Sequence, residues 1–528
     1  MFELFQGLPL FFTPLALVAS TLGIVAGLVI GVLPGLGPLM GIVLMLPIAF
    51  HLPPIAGMGM LIAIYIGGSA GGSVSAILLR IPGTPIAAAT LFDGYPLAQK
   101  GRAQDAVGLA MTASTIGGLI GGFFLLFFSP LLAKFALRFA PPEYFGMALL
   151  GVLTIAIVSE GSALKGLLAG GLGLTLAMIG TDEFTNAYRF TFGNFNLSSG
   201  PHVVSVVVGL FALSEVFFQI EGGGFLDRPT VQRLRVSFNA FRLILRHKVN
   251  LVRSALIGTF FGAIPGTGGD VSAFISYAAA KKLSRSGEVY GQGAEGGVVA
   301  TEAANNGCCG GALIPTLSLG IPGDGSTAVL MGALILLGFF PGPELFRSHP
   351  EIVGGIFVAY MMGNLIMLVL GIGLAPLFGR VLRIPKAWLI PAVLMLSVLG
   401  TYALQNSIFD LWVMLVFGGV GYVMRRAHYP LAPVIIGMIL GNILENNFRR
   451  ALLLSHDGPM IFFERPISAV IIAIDIVLLV TIVVSSIRTS EGRKQDASEA
   501  GRLPRAPGPA RSITPSSSQT NHENTLDP

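Results

Sequence analysis

Charge is what this sequence has least of. Only 11% of its 528 residues are Asp, Glu, Lys or Arg, while 53% are hydrophobic; a typical soluble chain carries about 25% charged residues. So few charges cannot cover the surface of one or more soluble domains, which excludes a soluble globular protein. Before Arg80 there is no Lys or Arg, and Glu3 is the only acid. A cleavable signal peptide begins with a basic region, so the first hydrophobic segment is expected to remain as a helix. Cysteine is nearly absent: Cys308 and Cys309 are adjacent, without the spacing of a zinc or redox site, and read as small packing residues. The seven histidines are scattered without metal-ligand spacing, so no structural metal is expected from them. None of the eight lysines follows a glycine, so the G-x-x-x-x-G-K-[ST] phosphate loop is missing and nucleotide hydrolysis is an unlikely source of work. No cofactor is expected.

What is present is a succession of apolar stretches of about 15 to 25 residues, where a helix needs about 20 to cross a bilayer. The expected fold is an all-α polytopic membrane protein with about 10–12 transmembrane or re-entrant helices. Ile467 to Ile487 forms the cleanest span, interrupted only by Asp475. A carboxylate at the bilayer centre costs about 2.5–3.5 kcal/mol, so Asp475 is a functional candidate, or else pairs with a cation of a partner subunit. Two basic clusters, Asp227 to Arg253 with seven Lys/Arg against one acid and the tail from Arg488, are placed in the cytoplasm by the positive-inside bias. The first reads as a topogenic loop rather than a nucleic-acid or lipid-binding surface. The tail is rich in Pro, Ser and charge and is expected to be disordered. The resulting division is an N-terminal transmembrane repeat at 1–220, a basic linker at 221–253, a C-terminal transmembrane repeat at 254–487 and a tail at 488–528. The net charge of +5 then reports orientation, not a partner.

Seventy glycines and 33 prolines interrupt most of the other apolar segments, and they do so in a pattern. Gly31-Val32-Leu33-Pro34-Gly35-Leu36-Gly37 returns 231 residues later as Gly262-Ala263-Ile264-Pro265-Gly266-Thr267-Gly268. Ile81-Pro82-Gly83-Thr84 follows the first proline by 48 residues, and Ile321-Pro322-Gly323-Asp324 follows the second by 57. Small-residue runs precede both, Gly67 to Ser73 and Asn305 to Gly311. Two ordered matches at similar spacing point to an internal duplication, whose halves are inverted if each holds an odd number of crossings.

Proline removes a backbone donor and glycine frees the chain, so each Pro-Gly pair should break a membrane helix. In hydrocarbon the freed peptide groups are tolerated only when buried in protein or lining a wet cavity. Broken helices at matching places in two halves are the sequence mark of a transporter site. Half-helix N-termini turn N–H groups and positive dipole ends towards an anion, while carbonyls and acids can hold a cation. The bland alternative is that Gly and Pro merely allow close helix packing.

These residues carry a resemblance. The stretch from Gly31 through Tyr65-Ile66-Gly67-Gly68 and Gly71-Gly72-Ser73 to Pro82-Gly83-Thr84-Pro85 and Phe92-Asp93-Gly94-Tyr95-Pro96 resembles the large membrane subunit of the tripartite tricarboxylate transporter (TctA) family. Glu302-Ala303-Ala304-Asn305-Asn306, Gly310 to Pro315, Leu319 to Gly323, Tyr429 to Pro433 and Glu445 to Leu452 continue it, over roughly Leu10 to Ser455. Arg80, before the first I-P-G, stands where a neutral residue is expected. The resemblance implies a secondary transporter of the bacterial inner membrane that imports di- or tricarboxylates by symport with an ion. It further implies a periplasmic solute-binding protein and a small four-helix membrane subunit as partners, with membrane lipid and no nucleic acid.

For the carboxylate substrate the candidate residues are Gly35, Ser73, Gly83 and Thr84 in the first half and Gly266, Thr267, Asn305, Asn306 and Gly323 in the second. Arg80 either counters substrate charge or snorkels to an interface. For the coupling cation, Na⁺ or H⁺, the candidates are Asp270, Glu302 and Asp324, although Asp270 and Asp324 also suit helix N-caps. Glu302, Asn305 and Asn306 share one helix face at i, i+3 and i+4, which serves either a site or interhelical hydrogen bonds. Glu445 to Asn447 with Arg449 and Arg450 suit an interface where Arg reaches water. A channel, or a transporter of another small organic anion, is the alternative. An intramembrane enzyme is disfavoured, because no paired aspartates or Ser/His constellation stands out.

Overall fold

The computed structural model describes residues 6–33, 35–158, 162–223, 239–265, 268–284, 287–455 and 458–500. Among them, seven helices are long and apolar enough to cross a membrane, and four shorter apolar helices, including Gly37–Phe50 and Gly325–Leu336, accompany them. The all-α polytopic expectation holds. The one sheet among the described residues is a two-residue hairpin pairing Gly180–Thr181 with Tyr188–Arg189.

The elements that build the interior are α1 (Pro14–Val32), α2 (Gly37–Phe50), α3 (Pro54–Leu79), α4 (Ala103–Ala136), α5 (Asn239–Arg246), α6 (Lys248–Ala263), α7 (Gly268–Leu283), α8 (Glu295–Leu319), α9 (Gly325–Leu336), α10 (Pro350–Gly373), α11 (Ile408–Arg426), α12 (Ala432–Leu454) and α13 (Pro466–Ala500). Local chemistry sets their ends. Thr13 caps α1 by accepting from the Ala16 N–H, with Pro14 at the first helical position. α1 stops before the first Pro-Gly element, and Gly35 and Gly37 both take positive φ, 88° and 64°, to turn the chain into α2.

Glycine on α1 and α6 lets each lie directly on a long buried helix. A Cβ at Gly31 of α1 would stand 2.3 Å from the Gly68 carbonyl of α3, and one at Gly262 of α6 would stand 2.3 Å from the Cys308 carbonyl of α8. Without water to drive apolar association in lipid, such close backbone contact supplies the packing. Both α3 and α8 are buried almost throughout.

Met1–Ile482 forms one compact unit, so the two transmembrane stretches share an interior rather than standing as separate domains. The unit from Val483 onward is helical in backbone as far as Ala500. The backbone helix continues past Arg488 through a stretch that holds two Glu, two Ala, a Lys, a Gln and an Arg. Extending an existing helix needs no new nucleus, and those residues favour it. Residues 501–528, and the basic linker at 224–238, lie outside the described residues.

Candidate transport site

α8 is the hub. Its sequence is a run of small residues around Glu302, Asn305 and Asn306, so α4 and α6 approach closely without displacing those side chains. Glu302 has no exposed surface. Its carboxylate accepts from the Thr90 hydroxyl, from Ser114 Oγ of α4 at 3.0 Å and, more weakly, from Asn305 Nδ2 at 3.4 Å. Ser73 of α3 lies beside it, although its hydroxyl satisfies no hydrogen-bond geometry. Among the described residues no Lys, Arg or His pairs with Glu302. Asn305 donates to the Ser69 carbonyl of α3 at 3.0 Å, leaving its own Oδ1 buried and unpartnered among the described residues.

A carboxylate removed from water and surrounded only by neutral groups needs a proton or a cation to balance it. Glu302, Asn305 Oδ1 and the hydroxyls of Ser73, Ser114 and Thr90 are all oxygen donors, the ligand type that hard cations prefer.

The Pro-Gly elements lie around this core. Arg80 ends α3 and Gly320 ends α8, each in the left-handed conformation, with φ of 60° and 70°. The two I-P-G turns therefore begin with the same backbone step, one of them through a residue that adopts it at a cost. Arg80 itself is exposed, with its guanidinium 5.7 Å from the centre of the Tyr95 ring. The first tips of each half meet partners from the other half: Ile86 fills the space beside Gly269, and Leu39 of α2 that beside Gly325 of α9.

The tips differ from expectation in detail. The Gly83 N–H donates to the Gly72 carbonyl at 3.1 Å and the Gly323 N–H to Thr316 Oγ1 at 3.3 Å, so neither points at a ligand. Each turn folds back on the helix it leaves, and that helix offers the nearest acceptor. Gly35 is exposed, while Thr84 Oγ1 is buried and without a partner among the described residues. Gly266 and Thr267 lie outside the described residues, as does the side chain of Asp270. Asn306 faces away from Asn305, with Nδ2 3.5 Å from the Met367 sulfur of α10 and its carbonyl accepting from Tyr360. Asp324 is the N-cap of α9: Oδ1 accepts from the Thr327 N–H at 2.7 Å, and Oδ2 from the Tyr65 hydroxyl at 2.6 Å. Asp475 is buried, with both carboxylate oxygens unpartnered among the described residues. Cys308 and Cys309 are buried packing residues on α8.

Several residues escaped the sequence reading. Asp93 is 1% exposed and its Oδ1 accepts three backbone N–H groups, of Gly291, Gly293 and Ala294, each at 2.8 Å. It thereby fixes the start of α8 from the other half of the chain, and only its place in a family motif marked it. Glu215, close to Gly35, is paired with Arg425 of α11. Thr90 and Ser114 carry no sequence signal, since hydroxyls are common in membrane helices. Glu445 pairs with Arg189 at 2.7 Å and Arg449 with Asp182 at 2.8 Å, tying α12 to the loop that carries the hairpin.

Two relatives and one family model match the chain. The chain is 36% identical over 499 residues, 93% of its length and 99% of the other's, to an uncharacterized 52.8 kDa protein in the TAR-I ttuC′ 3′ region of Agrobacterium vitis. It is 35% identical over 232 residues, 44% of its length and 96% of the other's, to an uncharacterized protein in the TAR-II ttuC′ 3′ region of the same organism. The family model of the tripartite tricarboxylate transporter TctA family matches residues 17–436. With its broken helices and its buried carboxylate on α8, the chain belongs to the tripartite tricarboxylate transporter TctA family.

Proposed function

We propose that this chain is the translocating subunit of an ion-driven symporter that imports di- or tricarboxylates across the bacterial inner membrane. A periplasmic solute-binding protein delivers the substrate, and a small four-helix membrane subunit completes the complex. The basic linker and the tail face the cytoplasm, and the two Pro-Gly halves are related by duplication.

The observation that carries this reading is Glu302, a fully buried carboxylate ringed by hydroxyls and an amide. It is the coupling site: a Na⁺ held with Asn305 Oδ1 and Ser73, or a proton on the carboxylate itself. Asp324, engaged as a helix cap, leaves that role to Glu302. The substrate carboxylates meet the tips at Gly35, at Thr84 and at the α2 N-terminus, where N–H groups and the helix dipole favour an anion that must also leave.

Uptake of labelled di- and tricarboxylates by cells carrying all three components tests it, with Na⁺ and H⁺ gradients collapsed separately. Uptake that needs the binding protein and stops with one gradient is expected, and Glu302→Gln should remove that dependence together with most of the flux. Non-saturating uptake indifferent to both gradients would point to a channel. Labelling of residues 221–253 from the periplasmic side would reverse the orientation.

A further inference from the structure

Away from the transport site, three side chains from separate stretches meet where α5 passes into α6. His247 Nε2 lies 3.6 Å from Glu288 Oε1 and 3.7 Å from Glu295 Oε2, and a ligand atom from each of the three lies within 4.8 Å of the others. The His247 side chain is 9% exposed, and neither ring nitrogen makes a hydrogen bond among the described residues. A nine-tenths buried imidazole thus points between two carboxylates at distances too long for hydrogen bonds.

We infer that His247, Glu288 and Glu295 form a binding site for a divalent metal of the zinc class. A zinc ion holds nitrogen and oxygen ligands at about 2.0–2.2 Å, which sets tetrahedral ligand atoms about 3.4 Å apart. The two histidine-to-carboxylate separations need only a few tenths of an ångström of closure. One imidazole and two carboxylates supply three ligands and leave the fourth position for water.

The surroundings hold the ligands as a second shell does. The other oxygen of Glu295 accepts from Arg102 Nη2 at 2.6 Å, and that of Glu288 from the Gly296 N–H at 3.2 Å. Hydrogen bonds of this kind orient metal-bound carboxylates. Arg102 also pairs with Asp105 at 3.1 Å. Gly296 makes the approach possible, because a Cβ there would stand 2.5 Å from the Tyr290 hydroxyl, 2.9 Å from Glu288 Oε2 and 3.4 Å from His247 Nδ1. The nitrogen ligand favours zinc or cobalt over magnesium or calcium, which prefer all-oxygen sites. Glu295 opens α8 seven residues before Glu302, so a bound metal would fix the end of the helix that carries the buried carboxylate.

Cobalt titration of the full chain in detergent, purified through a histidine-free tag, tests the site. Expected is one equivalent of Co²⁺ per chain with the visible absorption of a tetrahedral ion, displaced by Zn²⁺ and indifferent to Mg²⁺ and Ca²⁺. His247→Gln should weaken binding by about 100-fold or more. His247→Cys should restore it with a new sulfur-to-cobalt charge-transfer band, which also shows that the variant is folded. Absence of saturable Co²⁺ binding by the wild-type chain would overturn the proposal, as would unchanged binding in His247→Gln. A protonated histidine clamping two glutamates, the competing account, gives no cobalt spectrum.

Discussion

The hydroxyl of Tyr65 donates to Asp324 Oδ2 at 2.6 Å, joining residues 259 positions apart in the chain. Tyr65 is 1% exposed in the middle of α3, and Asp324 caps α9 on the far side of the second I-P-G turn. One half of the protein thus holds the half-helix of the other in place. Tyr65→Phe should leave the capping box with Thr327 intact and cost about 2 kcal/mol, the scale of a hydrogen bond to a charged group. Asp324→Ala should cost more, because it removes the cap as well. Thermal unfolding of both variants in the same detergent checks the order.

Gly31 and Gly262 occupy equivalent places in the two Pro-Gly elements, and each faces a carbonyl that a Cβ would approach to 2.3 Å. Backbone cannot give way as a flexible side chain does, so Gly31→Ala and Gly262→Ala should each destabilise by about 1–3 kcal/mol. Gly171, whose Cβ would meet nothing within 4 Å, should accept alanine with little change. Parallel expression and unfolding of the three variants makes the comparison.

Asp182 lies between membrane segments, in the loop that carries the hairpin, with its carboxyl held well below the ordinary value of 3.8. The Thr185 N–H is the largest cause, helped by the Phe184 N–H and Arg449 and opposed by desolvation. A depressed folded-state value means that this stabilisation is fully present above the unfolded value. It is lost as pH falls below about 3.8 towards the folded value. Asp182→Asn should therefore cost most stability at neutral pH, with the difference between the two proteins shrinking as pH falls below about 3.8. Unfolding midpoints measured across that range for both proteins give the answer.

Asp475 presents two unpartnered oxygens inside an apolar helix. Replacing such a group with an apolar side chain removes a desolvation cost, so Asp475→Leu should stabilise the isolated chain by about 2–3 kcal/mol. If the small membrane subunit supplies a cation to Asp475, the same change should weaken co-purification of the two subunits. Unfolding of the chain alone and pull-down of the complex read the two effects separately.

Much of this protein was legible in its sequence. The scarcity of charge and the recurring apolar runs require membrane helices, because lipid leaves the backbone no partners outside itself. The repeated Pro-Gly elements locate the breaks, since proline and glycine act through local backbone chemistry. Glu302 stood out as a carboxylate in an apolar run. Of its surroundings Ser73 was marked only as a substrate candidate, and Thr90 and Ser114 not at all, because all three reach it from distant stretches and hydroxyls leave no periodic trace. Asp324 suits a helix N-cap in the sequence as well, but its partner Tyr65 lies in the other half of the chain and only packing brings the two together. Asn305 and Asn306, neighbours in the chain, turn to different helices because α3 and α10 flank α8 on different sides. His247, Glu288 and Glu295 have no motif spacing at all, and only the turn from α5 into α6 brings the ring to the start of α8. Local rules, acting over a few residues, decided where helices form and where they break; the choice of which side chains meet was left to packing between segments hundreds of residues apart.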